Sequence, residues 1–398
     1  MTTHHTPTRT RVVVLGGGYS GTLAANHLRM RADVDITLVN PRPHFVERIR
    51  LHQFVAGTYV PTVDYGSLLG DGIRLVVDTA ARIDADARRI ELASGRTLDY
   101  DYVVYAVGST ATLPESVPGA AEFAYSVAEL ESAQRLRDVL DTLQPDVPPA
   151  PPVTVVGGGL TGVETAAELA EQGHRVTLIG GGRVVPTFSG AGRRAVVRTL
   201  RRLGVTLLED DVVTEVRRDS VVFADGAVRP SAVTIWAAGF GVPALAAASE
   251  LRTDELGRLL TDETLTSVDD ERIVAAGDCA SPSGAPLRMC CATATQIGPQ
   301  AADTVLARIA GEVPSRFHFA YGGACISLGR RAGLLQFARR DDSPVNVYVG
   351  GRAGARLKEA ICKGVVWGLR RAARHPAFAI ALRGGPRPEQ PAPAGVAP

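Results

Sequence analysis

Short β-branched runs alternate with segments of helical period along the chain, and the same order occurs twice. Arg11-Val12-Val13-Val14 predicts a strand, a helix-like segment follows, and Asp35-Ile36-Thr37-Leu38-Val39 predicts a second strand. The repeat runs from Pro152-Val153-Thr154-Val155-Val156 through a helix over Val163 to Ala170 into Arg175-Val176-Thr177-Leu178-Ile179. Between strand and helix lies a glycine turn, with Gly16, Gly18 and Gly21 in the first copy and Gly157, Gly159 and Gly162 in the second. The first glycine makes the sharp turn, the second admits a phosphate to the backbone, and the third lets helix pack on strand. An anion then meets the helix N-terminus. One GxGxxG turn is a weak signal, but two complete βαβ units argue against chance.

Elsewhere the pattern is shorter in period. Residues 73 to 107 predict a β-meander with strands at Ile73 to Val77, Ala81 to Asp84, Arg89 to Leu92 and Tyr102 to Ala106. Residues 126 to 143 predict a helix and Gln144 to Pro152 an exposed loop. A second meander takes in Thr206 to Leu208, Val213 to Arg217, Ser220 to Phe223 and a strand from Val233 ending at Gly239. Near the C-terminus Phe317 to Ala320, Ala324 to Leu328, Gly333 to Phe337 and Val345 to Val349 read as a small sheet, followed by a helix from Ala355 to His375. On that helix Ile361, Val365, Leu369 and Ala372 share one face, and Lys363, Arg370 and Arg374 the opposite one. Such a helix either packs on its own sheet or meets an anionic membrane surface through residues 355–375. The tail 386–398 is Pro-rich and expected to be disordered.

Composition sets the bounds. The 398 residues, 45% hydrophobic and 21% charged, suit two or three globular domains. A net charge of +1 gives no pull toward nucleic acid, and the only lysines are Lys358 and Lys363. The polar start and the lack of an 18-residue apolar run predict a cytoplasmic protein, at most resting on the inner face of the cell membrane. The five cysteines, Cys279, Cys290, Cys291, Cys325 and Cys362, have no zinc-ribbon or CxxC spacing and read as small buried residues, so no metal site is expected.

Candidate binding residues follow from position. The second strand of the first unit ends at Asn40, where an acid often holds ribose hydroxyls and an amide can still hydrogen-bond. Beyond it, Arg42 or Arg48 could face a phosphate or substrate, or belong to a solvated loop and helix. The exit Ala106-Val107-Gly108-Ser109 is small enough to pass under a cofactor. In the second unit Gly180-Gly181-Gly182-Arg183 carries no acid, which suits NADPH, although Arg183 could equally face water. Asp278, beside Gly277 at a strand end, can bond a polyol such as a ribityl chain or serve as a turn acid. Glu164 lies in the first turn of the second helix, where the macrodipole favours a carboxylate.

Taken in order, the glycine turn, Ala106-Val107-Gly108, the second glycine turn with Glu164, Ala238-Gly239 and Gly277-Asp278 resemble the two-dinucleotide flavoprotein reductases over residues 11 to about 310. The resemblance implies an α/β fold of the glutathione-reductase type: two Rossmann-like domains, with the NAD domain inserted in the FAD domain, plus a C-terminal α+β domain. It places the FAD domain at 1–120 and 245–315, the NAD(P)H domain at 121–244, and the sheet and amphipathic helix at 316–385. It implies FAD at Gly16, Gly18, Gly21, Asn40, Ala80 and Asp278, and NADH or NADPH at Gly157, Gly159, Gly162, Glu164 and Gly239.

The acceptor divides this superfamily. Disulfide reductases carry a CxxxxC pair after the first unit's second strand, and residues 41 to 70 contain no cysteine. Electrons must then pass from flavin directly to an acceptor. Ala294-Thr295-Gln296-Ile297-Gly298-Pro299-Gln300 resembles the AQxxxQ quinone motif of type II NADH dehydrogenases, with Gln296 and Gln300 on one helical face and Pro299 disturbing the helix between them. In those enzymes the glutamate matching Glu164 lies near nicotinamide and flavin. The expectation is an FAD-dependent NAD(P)H:acceptor oxidoreductase, with a quinone as acceptor. Alternatives are a soluble reductase serving a ferredoxin-like protein or a small molecule, and a slow redox sensor resembling apoptosis-inducing factor. A homodimer stays open.

Overall fold

The computed structural model describes residues 9–143 and 150–379. Residues 144–149 of the predicted loop and the predicted tail 386–398 lie outside the described residues. In chain order the parallel strands are β1 (Thr10–Leu15), β2 (Val34–Asn40), β3 (Ile73–Val77), β4 (Tyr102–Tyr105), β5 (Ala124–Ser126), β6 (Pro152–Val156), β7 (Arg175–Ile179), β8 (Thr206–Leu208), β9 (Val233–Trp236) and β10 (Ile273–Ala275). They form two five-stranded sheets, ordered β10-β4-β1-β2-β3 and β5-β9-β6-β7-β8. All neighbours are parallel. The chain leaves the first sheet after β4, builds the second, and returns to its edge with β10.

Both predicted meanders therefore come apart. Their outer strands join the parallel sheets, and only the inner segments pair antiparallel: Ala80–Asp84, Arg89–Leu92 and Thr97–Asp99 in one, Val213–Val216, Ser220–Phe223 and Val228–Pro230 in the other. A short apolar run looks alike in a hairpin and in a parallel sheet, because pairing depends on distant partners. The predicted helix over 126–143 also divides, into β5 and a helix starting at Leu130.

The longer helices are α1 (Tyr19–Leu28), α2 (Leu130–Thr142), α3 (Leu160–Glu171), α4 (Gly190–Arg202), α5 (Cys291–Ile309) and α6 (Gly351–Arg374). On β1, Val12 and Val14 enter one core with Leu23 and Leu28 of α1 and Ile297 of α5, while Val13 and Leu15 enter another with Tyr105 and Ile273. That alternation is the strand period of two. Helix α5 runs unbroken through Pro299 and crosses α1 so closely that a Cβ on Gly298 would lie 2.5 Å from the Ser20 carbonyl oxygen. The Ser20 hydroxyl donates to the Ala294 carbonyl across this contact.

The C-terminal sheet has three antiparallel strands, β11 (Gly323–Ser327), β12 (Gly333–Ala338) and β13 (Pro344–Gly350); residues 317–320, predicted as a fourth, form a loop. Helix α6 lies on this sheet and on α1, burying Gly354, Cys362, Val366, Leu369 and Ala372. Leu369 and Ala372 are buried as predicted, while in the first half of the stripe Cys362 and Val366 replace Ile361 and Val365, which lie at its half-buried margin. Trp367 is 58% exposed and Lys363, Arg370, Arg371 and Arg374 face outward. Among the described residues no helix is long and apolar enough to cross a membrane.

Candidate active site

The first glycine turn opens a cleft of about 320 Å³ at the carboxyl ends of β1, β2 and β4. A Cβ on Gly16 would stand 2.3 Å from the Ala106 carbonyl oxygen, and one on Gly21 would stand 1.8 Å from that of Gly16. A Cβ on Gly18 would meet nothing within 4 Å, and Gly18 starts α1 with no capping side chain. The helix N-terminus therefore faces open space with backbone donors uncapped, as an anion requires.

The predicted FAD residues converge there. Gly16, Gly18, Asn40, Arg42, Ala80, Ala106 and Gly108 all line the cleft. Asn40 works mainly as a clip: its Oδ1 accepts from the Gly17 N–H at 3.0 Å and its Nδ2 donates to the Arg42 carbonyl at 2.8 Å. The Arg42 guanidinium is turned away into a two-pronged pair with Glu131, at 2.6 and 2.5 Å. Arg48 takes the inner position instead. It donates to the Ser109 hydroxyl at 3.1 Å and the Ala128 carbonyl at 2.9 Å.

Ser109 in turn donates to Asp278 Oδ2 at 2.7 Å, while the buried Asp278 Oδ1 has no partner. Burial pushes the Asp278 carboxyl above its ordinary range, against the pull of Ser109 and Arg48, and burial lowers Arg48. A desolvated carboxylate oxygen without a donor is costly unless a ligand hydroxyl supplies one. The cleft, the uncapped helix and this orphan oxygen are a donor and acceptor set that fits FAD.

The second turn repeats the first. A Cβ on Gly157 would lie 2.7 Å from the Ala237 carbonyl carbon, one on Gly162 would lie 1.9 Å from the Gly157 carbonyl oxygen, and Gly159 is open. Gly159 starts α3, again without a capping side chain, and Gly239 is exposed beyond β9. Arg183 stands exposed after β7.

Glu164 faces the C-terminal part of the chain. Its Oε1 accepts from Lys358 Nζ at 3.0 Å and from the Ser327 N–H at 2.9 Å, and its Oε2 lies 3.8 Å from His52 Nδ1. Burial would raise the Glu164 carboxyl, but the Lys358 ammonium, helped by the Ser327 N–H, holds it below its ordinary value. The same pairing keeps buried Lys358 a firm ammonium, while burial pushes His52 down to about 4 and keeps it neutral. One turn on, Glu168 is fully buried, has no hydrogen-bond partner on either oxygen, and is pushed up to about 7 by burial.

The segment after β2 is not solvated. Arg50 is buried against Glu47 at 3.3 Å and Glu359 at 2.9 Å. Gln296 and Gln300 do share a face, which meets the 317–320 loop. Gln296 Nε2 donates to the carbonyls of Ala292 and Ala320, leaving its buried Oε1 free. Gln300 donates to the Gln296 and His318 carbonyls and accepts from the His318 N–H.

Lys358, His52 and Ser109 were not singled out in sequence. For Lys358 a signal existed, since it is one of two lysines in the chain. Burial pushes the thiols of Cys279 and Cys291 up to about 12 and that of Cys362 to about 11, so these are inert at neutral pH. Among the described residues no group of side chains could hold a metal ion.

Residues 10–302 match the family model described as pyridine nucleotide-disulphide oxidoreductase. An NADH dehydrogenase-like protein of Mycobacterium tuberculosis is 33% identical over 295 residues, covering 68% of this chain and 73% of that one. A type II NADH:quinone oxidoreductase of the same organism is 29% identical over 355 residues, covering 78% and 75%. In fold, the chain resembles a sulfide:quinone oxidoreductase of Aquifex aeolicus, with a TM-score of 0.77 at 21% identity over 93% of each chain. NDH2 of Plasmodium falciparum gives a TM-score of 0.77 at 17% identity, over 92% of this chain and 97% of that one. The chain belongs to the pyridine nucleotide-disulphide oxidoreductase family, as an FAD-dependent NAD(P)H dehydrogenase.

Proposed function

We propose that the chain is an NAD(P)H:quinone oxidoreductase of the type II kind. The observation that carries this is the segment after β2. Where disulfide reductases place their cysteine pair, this chain has Glu47, Arg48, Arg50 and His52, all charged or polar and none redox-active. Relatives named for quinone reduction support the same acceptor. Bound FAD supplies two-electron chemistry that lets nucleotide oxidation and acceptor reduction occur in separate steps.

The chain's own groups bind, orient and hold protons. The N-terminus of α1 would hold the FAD pyrophosphate and Asp278 Oδ1 would accept from a ribityl hydroxyl, while Arg48 positions Asp278 through Ser109. Gly157, Gly159 and Gly162 bring the nicotinamide nucleotide onto α3, with Gly239 clearing space beside it. Reducing a quinone with NAD(P)H consumes one proton per turnover beyond the hydride. Glu164, an ionised carboxylate at neutral pH, is assigned to holding Lys358, whose ammonium carries the proton of the pair. Gln296, with its free Oε1, is assigned to the acceptor side, and Gln300 holds the 317–320 loop that frames it.

The buried stripe of α6 favours a second reading, a soluble reductase serving a redox protein or small molecule. A bilayer would have to be met through the basic outer face around Trp367. Anaerobic reduction by NADH or NADPH, followed by a soluble quinone or a ferredoxin, separates the two. Rapid reoxidation of the bleached flavin by quinone is expected. Bleaching reversed by ferredoxin and not by quinone would select the second reading.

A further inference from the structure

We propose that the second dinucleotide unit selects a nucleotide bearing a 2′-phosphate, so that NADPH is preferred to NADH, with Arg183 as the specificity-determining residue. This rests on the assignment of that unit to NAD(P)H. It departs from the names of the two Mycobacterium tuberculosis relatives, which specify NADH.

The argument starts at the end of β7. In such units the residue closing the second strand is commonly an acid that bonds the ribose 2′-hydroxyl, whereas a 2′-phosphate is met by a nearby arginine. Here that position is Gly180, and the structure leaves no room for an acid. A Cβ on Gly180 would lie 2.3 Å from the Gly182 carbonyl oxygen and 3.1 Å from that of Glu209. The loop folds back over the strand end because Gly182, at φ +134°, points its N–H at the Glu209 carbonyl, 2.5 Å away. A side chain rarely adopts that conformation, so the arrangement depends on glycine.

The neighbouring acid is also withdrawn. The Glu209 carboxylate accepts from the Val184 N–H at 2.9 Å and pairs with Arg193. Its charge is directed into the loop and α4, where those two donors hold it below its ordinary range despite burial. Arg183 makes no hydrogen bond or ion pair among the described residues and is exposed at the loop. The site thus offers a free guanidinium and a glycine backbone, with no carboxylate at the strand end. A 2′-phosphate carries close to two negative charges, which an acid at this place would repel and an arginine binds through two parallel hydrogen bonds.

The test is calorimetric titration of the full-length, oxidised, FAD-loaded protein with NADP+ and NAD+ separately, repeated with Arg183→Ala and Arg183→Lys. The expected result is NADP+ binding at least tenfold tighter than NAD+. Arg183→Ala should weaken NADP+ about tenfold and leave NAD+ unchanged, and Arg183→Lys should recover part of the loss. Adenosine 2′,5′-bisphosphate should compete with NADP+ better than 5′-AMP does. Equal or tighter binding of NAD+, or an Arg183→Ala variant with an unchanged ratio, overturns the proposal while leaving the nucleotide site in place. Binding of neither nucleotide overturns the assignment of the second unit itself.

Discussion

In the first unit β2 ends on Asn40, whose amide ties the Gly17 N–H to the Arg42 carbonyl. In the second, β7 ends at Ile179 and Gly180 follows, and the carbonyl of Gly182 occupies the place a side chain on Gly180 would take. The helices diverge too. Counted from their glycines, Leu23 and His27 of α1 occupy the positions of Glu164 and Glu168 of α3. Leu23 lies in the core, and His27 bonds Asp303 at 2.7 Å and the Pro376 carbonyl at 3.0 Å. Glu164 instead requires Lys358, and Glu168 is met by Arg330, 3.7 Å away. The same topology is thus sealed by packing and satisfied polar groups on one side. On the other it is held by buried ionisable groups, which suit binding and proton exchange at a cost in stability.

The sharpest way to break that comparison is to fill the matched third glycines. Both would force a Cβ within 2 Å of a backbone oxygen. Gly21→Val should give colourless protein without FAD. Gly162→Val should stay yellow while NAD(P)H-driven bleaching slows by two orders of magnitude or more, on the order of 3 kcal/mol. Anaerobic stopped-flow absorbance reads both. If Gly162→Val also lost its flavin, the two units would not be separable.

Glu164→Gln comes next. It strands a buried ammonium and should cost about 3–5 kcal/mol in urea unfolding at pH 7, most of it recovered by adding Lys358→Met. The Glu164 carboxyl is held below its ordinary value of 4.5, so its contribution is complete above that pH and lost as pH falls further through the lowered value. The variant should show no such loss.

Glu168 runs the other way. Its folded value of about 7 lies above the ordinary 4.5, so the native state binds the extra proton and stability falls as pH rises from 4.5 to 7. Glu168→Gln should flatten that slope and gain about 2 kcal/mol at pH 8, reduced by the lost contact with Arg330. Unfolding midpoints at pH 5 and pH 8 decide the sign. The smallest effect belongs to Arg42→Ala, whose pair with Glu131 is at the surface. Less than about 1 kcal/mol of stability should be lost. FAD affinity by fluorescence titration should stay within about twofold, whereas Arg48→Ala should weaken it more.

Most of the fold was legible because each βαβ unit is written in contiguous residues: a β-branched run, three spaced glycines, a helix and a second run. The place of Asp278 beside Gly277 at a strand end was legible, and its unpartnered oxygen was not. The rest depended on partners far away in sequence. No local pattern tells whether Ile73–Val77 joins a hairpin or β2, or that Arg48 rather than Arg42 turns inward. Glutamines four apart correctly indicated a common face for Gln296 and Gln300. Their engagement with the 317–320 loop depends on a segment whose apolar residues read as a strand.

Helix α6 also bears on how the protein is made. Arg50 waits for Glu359, and Glu164 for Lys358. At ordinary rates of translation the 309 residues between Arg50 and Glu359 take roughly 15 to 60 s to synthesise. Through that interval Arg50 has only Glu47 beside it, and Glu164 has no ammonium to pair with. The surroundings of Arg50 and Glu164 thus reach their final form only after α6 has left the ribosome.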